Sequence, residues 1–323
     1  MNKQNYQKSN LEVINKFLDW RKNQSNSVSQ LKLSWSNWGF GQESLKTTAA
    51  RLKKNNIKYI ELHGNTYGKD LGYNANKVKK ILQNHGIKVS GVCGMVSPES
   101  EFASNKPHIR QRCIDYFRRA IDLCAELGGE YVLFAPGAVG RPEKYDNYEF
   151  DRAAETIRTI GDYFVNNGVK GAIEPVRSEE VSFCHTLSEA ERLIQVIDHP
   201  GVKHIAGDIY HIIHGEENPA SSLLEYGDRL INLHLADTNR RALGKGCLNL
   251  DVVLMSVYLI KAQGKELFCT PEPLGPGGDP YKARYGKPDQ EKLDQLVKQT
   301  ASYFFEREKE ILEASEEGLL NDF

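Results

Sequence analysis

Eight short runs of apolar and β-branched residues recur along this chain, each followed by a stretch with helical periodicity, and this alternation limits the fold more than any other feature. The runs cover residues 31–35, 57–62, 87–92, 131–134, 169–173, 202–206, 230–235 and 266–270. They begin roughly every 25 to 45 residues, the size of a strand–helix–strand unit. Strands joined by crossover helices pair in parallel, and eight of them close a barrel. We therefore expect an α/β protein, a (β/α)8 TIM barrel, forming a single domain over residues 29–323. A helical extension should cover residues 1–28, with an extended, charged C-terminal helix near residues 290–312. An open doubly wound sheet is the competing fold, but no Gly-rich dinucleotide fingerprint follows the first run.

The intervening stretches carry the expected stripes. Cys113, Phe117, Ala120, Ile121, Cys124 and Leu127 fall on one face of a helix over 109–127, and 153–164 and 250–260 behave alike. Gly86, Gly128 and Gly168 stand just before the next strand, where a helix ends in the left-handed conformation.

With 42 basic and 43 acidic residues the chain has a formal net charge of −1, so no global positive field favours nucleic acid. The six cysteines form no C-x-x-C pair and read as reduced, mostly buried thiols. The N-terminal residues are polar and no apolar stretch is long enough for a membrane span, so a cytoplasmic protein is expected.

Catalytic groups of parallel barrels sit at the C-terminal strand ends. The fifth run ends Ile173-Glu174-Pro175, the sixth Gly207-Asp208, the seventh Leu233-His234-Leu235, and the eighth Pro271-Glu272-Pro273. Three carboxylates crowded on one rim would repel one another and retain protons, so a cation is their natural neutraliser. Three carboxylates and one imidazole suit one hard to borderline divalent metal ion: Mn²⁺ is expected, with Mg²⁺ or Co²⁺ as alternatives.

At these residues the sequence resembles the sugar phosphate isomerase/epimerase superfamily of xylose-isomerase-like barrels, and within it the ketose 3-epimerases. The resemblance runs from about Leu31 to Glu272 and identifies Glu174, Asp208, His234 and Glu272 with that family's metal ligands. It implies that the metal polarises a keto-sugar carbonyl and stabilises an enediolate, while Glu174 and Glu272 remove and return a proton on opposite faces of the adjacent carbon. It further implies substrate contacts from Glu180, His211 and Arg240, although Glu179, His214 and Arg241 stand close by and compete for these roles.

Other features set the chain apart from a plain barrel. His63 follows the second run and is read either as a further catalytic acid or as a residue structuring a Gly-rich turn. Arg141, after the fourth run, is read as a surface arginine or as a contact for an acidic substrate group. The loop at 275–288 is a candidate lid, and with Gly244-Lys245-Gly246 it occupies the region where many barrels bind phosphate. Tyr303, Phe304 and Phe305 suit either a homo-oligomer interface or core packing. The barrel and metal set also resemble C-glycoside-cleaving catalytic subunits, which would bring a small partner subunit, and inosose dehydratases. The alternative activity is thus a lyase that shares the first proton abstraction, with His63 protonating the leaving group. An apurinic-site endonuclease would need more histidine ligands and a basic face.

Overall fold

A computed structural model of the protein describes residues 4–24, 28–64, 70–274 and 289–321. Its eight parallel strands are β1 (Lys32–Leu33), β2 (Tyr59–His63), β3 (Lys88–Cys93), β4 (Tyr131–Phe134), β5 (Lys170–Ile173), β6 (Val202–Asp208), β7 (Leu230–Leu235) and β8 (Phe268–Pro271). From β2 to β8 consecutive strands pair, and β1 pairs with β8. The barrel closes between β1 and β2 at a single bridge, Ser36 to Glu61, where the Glu61 N–H donates to the Trp35 carbonyl at 2.9 Å. The (β/α)8 TIM barrel expected from the eight runs is therefore the fold. β1 is shorter than its run at 31–35, and β6 continues past its run to include Asp208.

The helices are α1 (Asn5–Lys22), α2 (Leu45–Lys54), α3 (Ala75–His85), α4 (Pro107–Leu127), α5 (Glu149–Arg158), α6 (Gly161–Asn166), α7 (Leu187–Ile197), α8 (Ile209–Ile212), α9 (Pro219–Glu225), α10 (Leu250–Ala262), α11 (Gln290–Glu313) and α12 (Glu316–Asn321). Ser44, Asn74, Thr186, Asn218, Asn249 and Asp289 start their helices by accepting an exposed backbone N–H with the side chain. Gly86 and Gly128 end α3 and α4 at φ of 70° and 71°. The helix expected over 153–164 is instead two, α5 and α6. The break falls where Gly161 passes so close to the turn before β6 that a Cβ on it would stand 2.3 Å from His199 Nδ1.

α1 docks on the barrel through Val13, Ile14, Phe17 and Leu18, all buried, each worth about 1.5–3 kcal/mol of burial when fully enclosed. Trp20 stacks on Tyr258 of α10 at 5.6 Å. Phe304 of α11 is fully buried, and the Tyr303 ring covers Gly244, so this aromatic run is used in packing. Among the described residues no helix is long and apolar enough to cross a membrane. The candidate lid at 275–288 lies outside the described residues.

The barrel interior beneath the C-terminal rim is polar. Ser34, Glu61, Ser90, Tyr131, Asn232 and Thr270 are fully buried there. Ser34 and Ser90 share a hydrogen bond of 2.8 Å across the lumen. The Tyr131 ring fits because its neighbour on β3 is Gly91, where a Cβ would stand 2.5 Å from the ring.

Candidate active site

The ends of β5 to β8 place four ionisable side chains together. β6 and β7 are in register at Asp208 and His234, and His234 lies opposite Thr270 of β8. Glu174 and Glu272 each stand just past a strand and are tied to its neighbour, their N–H groups donating to Phe134 O at 2.9 Å and Leu235 O at 3.0 Å. Asp208 also caps α8, accepting the Tyr210 N–H on Oδ1 at 2.8 Å. His234 Nδ1 is 3.2 Å from Glu174 Oε1 and 3.5 Å from Glu272 Oε2. Glu174, Asp208 and His234 offer ligand atoms all within 4.8 Å of one another.

Burial makes this cluster electrostatically expensive. Glu174 is 9% exposed and the other three are 3% or less. Burial, reinforced by Asp208, Glu174 and Glu61 against the pull of His234, pushes Glu272 up to about 8. Burial likewise raises Asp208 to about 6, despite Arg240 and His234. For His234, burial opposes the charged form, but Glu272, Glu61 and Glu174 outweigh it and hold the imidazole well above its usual range. Asp208 Oδ2 is buried and accepts no hydrogen bond among the described residues. An orphaned carboxylate oxygen beside two more carboxylates and an imidazole is a donor set that fits a divalent cation.

Around the cluster stands a ring of polar residues. His211 Nε2 lies 3.3 Å from Asp208 Oδ2 and accepts from Arg240 at 3.3 Å. Burial, with Arg240 and Arg177 nearby, holds the His211 ring well below the usual histidine range. Arg240 adopts φ of 53°, a left-handed conformation that costs about 1–3 kcal/mol for a residue with a Cβ. Asp237 holds that turn: its carbonyl accepts the Arg240 N–H, and its carboxylate accepts those of Thr238, Gly244 and Leu248. In the Gly244-Lys245-Gly246 turn the Gly244 N–H is therefore taken by Asp237 and the Lys245 N–H by the Ala242 carbonyl, which occupies two of the donors a phosphate would use. Glu180 is 7% exposed and takes the Arg177 Nε–H on Oε1 at 2.7 Å. Arg177 and Arg240 flank the Tyr210 ring at 4.8 and 4.0 Å.

Glu174, Glu180, His211 and Glu272 line one cavity with Trp38, Met95, Val96, Val139 and Val176. His63 is 1% exposed and does not line it; its ring stacks on Trp38 at 5.4 Å. Arg141 is held by Glu101 and Glu149 and lies over the Tyr145 ring at 4.0 Å, an internal tie in the loop after β4. Glu61, Trp38, Arg177 and Tyr210 were not singled out from sequence. Glu61 did carry a signal, since a carboxylate inside an apolar strand must find partners. Arg177 stands three residues before Glu180, ion-pair spacing that the sequence displays.

Comparison with known proteins agrees with the barrel fold. The family described as "Xylose isomerase-like TIM barrel" matches residues 49–283. The chain is 24% identical over 245 residues to the 3-dehydro-D-guloside 4-epimerase of Escherichia coli (strain K12), covering 72% of this chain and 90% of that one. It is 27% identical over 173 residues to the L-ribulose 3-epimerase of Methylomonas sp. (strain DH-1), covering 52% of this chain and 59% of that one. The crystal structure of a D-allulose 3-epimerase from Methylomonas sp. in complex with D-allulose superposes with a TM-score of 0.73 at 19% identity, covering 87% of this chain and 98% of that one.

Proposed function

Because the chain belongs to the xylose isomerase-like TIM barrel family, we propose that it is a metal-dependent epimerase of a keto-sugar. The observation that carries this reading is the pair of carboxylates, Glu174 and Glu272, both close to His234 Nδ1 and both lining one cavity. A divalent cation held by Glu174, Asp208, His234 and Glu272, with Mn²⁺ favoured over Mg²⁺ or Co²⁺, would polarise a substrate carbonyl and acidify the neighbouring C–H.

Glu174 and Glu272 would then act on opposite faces of that carbon, one removing the proton and the other delivering one, so that configuration inverts. His211 accepts from Arg240 on Nε2, which leaves the ring proton on Nδ1. That nitrogen has no hydrogen-bond partner among the described residues and would donate to a substrate oxygen. Glu180, braced by Arg177, would accept from a hydroxyl, and Arg240 would stand near the developing negative charge. The relatives named above are epimerases, which supports this outcome over elimination. The lyase alternative assigned leaving-group protonation to His63; behind Trp38, this residue is better suited to bracing the cavity wall.

The test is incubation of Mn²⁺-loaded protein with a panel of ketoses and 3-keto-glycosides in D₂O. Deuterium at the carbon next to the carbonyl, together with a new epimer, is expected. Absence of exchange across the panel, or release of an aglycone or dehydrated product instead of an epimer, would overturn the proposal.

A further inference from the structure

Below the rim one buried carboxylate has no part in the chemistry assigned so far. Glu61 is fully buried in the barrel lumen. Its Oε2 accepts from the Tyr131 hydroxyl at 2.7 Å and from Asn232 Nδ2 at 3.2 Å. Asn232 is oriented in turn by Thr270, whose hydroxyl donates to its Oδ1 at 2.6 Å. The remaining oxygen, Oε1, stands 2.9 Å from His234 Nε2. Side chains from β2, β4, β7 and β8 thus converge on one group that touches no solvent. Burying an ionised carboxylate costs several kcal/mol even after relaxation, so packing alone would favour an apolar residue of the same size.

The ring geometry gives this group a task. A neutral imidazole has one donor and one acceptor nitrogen, and an ionised carboxylate only accepts. Glu61 against Nε2 therefore places the ring proton there and leaves the electron pair on Nδ1. That is the nitrogen facing Glu174 and Glu272 at 3.2 and 3.5 Å. We infer that Glu61 is a positioning residue: through its bond to Nε2 it fixes the tautomer and ring plane of His234, so that Nδ1 is presented to a divalent cation shared with Glu174, Asp208 and Glu272. The inference rests on the metal reading proposed above. Glu61, His234 and Glu272 also offer atoms within 4.8 Å of one another. An ion seated among those three would have to displace the Nε2 proton, whereas Tyr131 and Asn232 already hold Glu61 in place as an acceptor for it.

Equilibrium dialysis against Mn²⁺ and nitrogen NMR of histidine-labelled protein loaded with Mg²⁺ test this together. The wild-type chain should bind one Mn²⁺. Glu61→Gln, which keeps volume and removes charge, should bind it about 10- to 100-fold more weakly. Tyr131→Phe, which deletes one bond to Glu61, should weaken binding by a smaller factor. In the Mg²⁺-loaded wild type, His234 should be protonated at Nε2 and bare at Nδ1. Failure of the wild type to bind Mn²⁺ would overturn the metal reading itself. Wild-type binding with both variants equally tight, a second bound ion, or a ring protonated at Nδ1 would overturn the role of Glu61 alone. The spectrum needs no variant, so a Glu61→Gln chain that fails to fold does not spare the inference.

Discussion

The two halves of the barrel end in different chemistry. β5 to β8 are followed by, or end in, Glu174, Asp208, His234 and Glu272, whereas β1, β3 and β4 lead into Trp38, Met95, Val96 and Val139 on the walls of the same cavity. The ionisable half cannot stand alone: its charges repel, and burial raises the cost. What the other half supplies is partly shape and partly support. Ser36, just after β1, donates to Glu272 Oε1 at 3.1 Å, and Glu61 of β2 meets His234 from below. Apolar walls exclude water and lower the local dielectric, which strengthens each of these contacts. On the proposed reading one half would carry the chemistry, and the other makes its geometry tolerable.

This division can be broken at either side. The largest effect should come from the ionisable half: Glu174→Gln or Glu272→Gln should lower the rate of C–H exchange in D₂O by about 10²- to 10⁴-fold. Variants that exchange at the wild-type rate would remove both residues from the chemistry. Next in size is a change in the supporting half. Gly91→Ala puts a methyl group where the Tyr131 ring lies 2.5 Å away, so it should destabilise the protein by about 1–3 kcal/mol in urea unfolding and loosen metal binding with it. Unchanged stability would mean that the lumen is not packed as described.

Proton linkage separates the halves further. Glu272, raised to about 8, keeps in the folded protein a proton that the unfolded chain releases at its ordinary lower value. The stability it contributes is therefore lost as pH rises towards 8, and His234, also raised, acts in the same direction. His204, lowered to about 4 mainly by burial, and His211, also lowered, act oppositely, but their gain is complete once pH exceeds roughly 6.5. Between about pH 6.5 and 8 the melting temperature of metal-free protein should fall, and saturating Mn²⁺ should flatten that slope by displacing the proton. A metal-free melting temperature that rises across this window would contradict the assigned burial of Glu272. The smallest effect belongs to the wall. Trp38→Phe, which trims the stack on His63, should raise KM by up to roughly tenfold, the 0.5–1.5 kcal/mol scale of an aromatic pair, with kcat little changed. A large fall in kcat instead would draw Trp38 and His63 into the chemistry.

Much of this was legible from sequence because it is local. Apolar runs with turn residues after them mark strands, and the residue just past a parallel strand falls on the catalytic rim whatever the rest of the chain does. Glu174 and Glu272 stand just past their strands, and Asp208 and His234 at the ends of theirs, so all four were legible as candidates for that rim, and Gly86 and Gly128 marked helix ends by the same kind of rule. Glu61 escaped because its partners Tyr131 and Asn232 lie 70 and 171 residues away. The split of the 153–164 segment escaped too, since the close approach of Gly161 to His199 leaves no trace in the helical stripe.

What the chain determined by itself is the set of eight strand–helix units and the residues their ends expose, since these follow from backbone preferences and from period-2 and period-3.6 patterning within a few neighbours. Only the tertiary structure decided between Glu61 and His63, two residues apart on one strand. The lumen places the first against His234 and the second behind Trp38. Such assignments depend on how strands twist and close, at Ser36 and Glu61 here, and on burial that turns a polar side chain into one that must be satisfied.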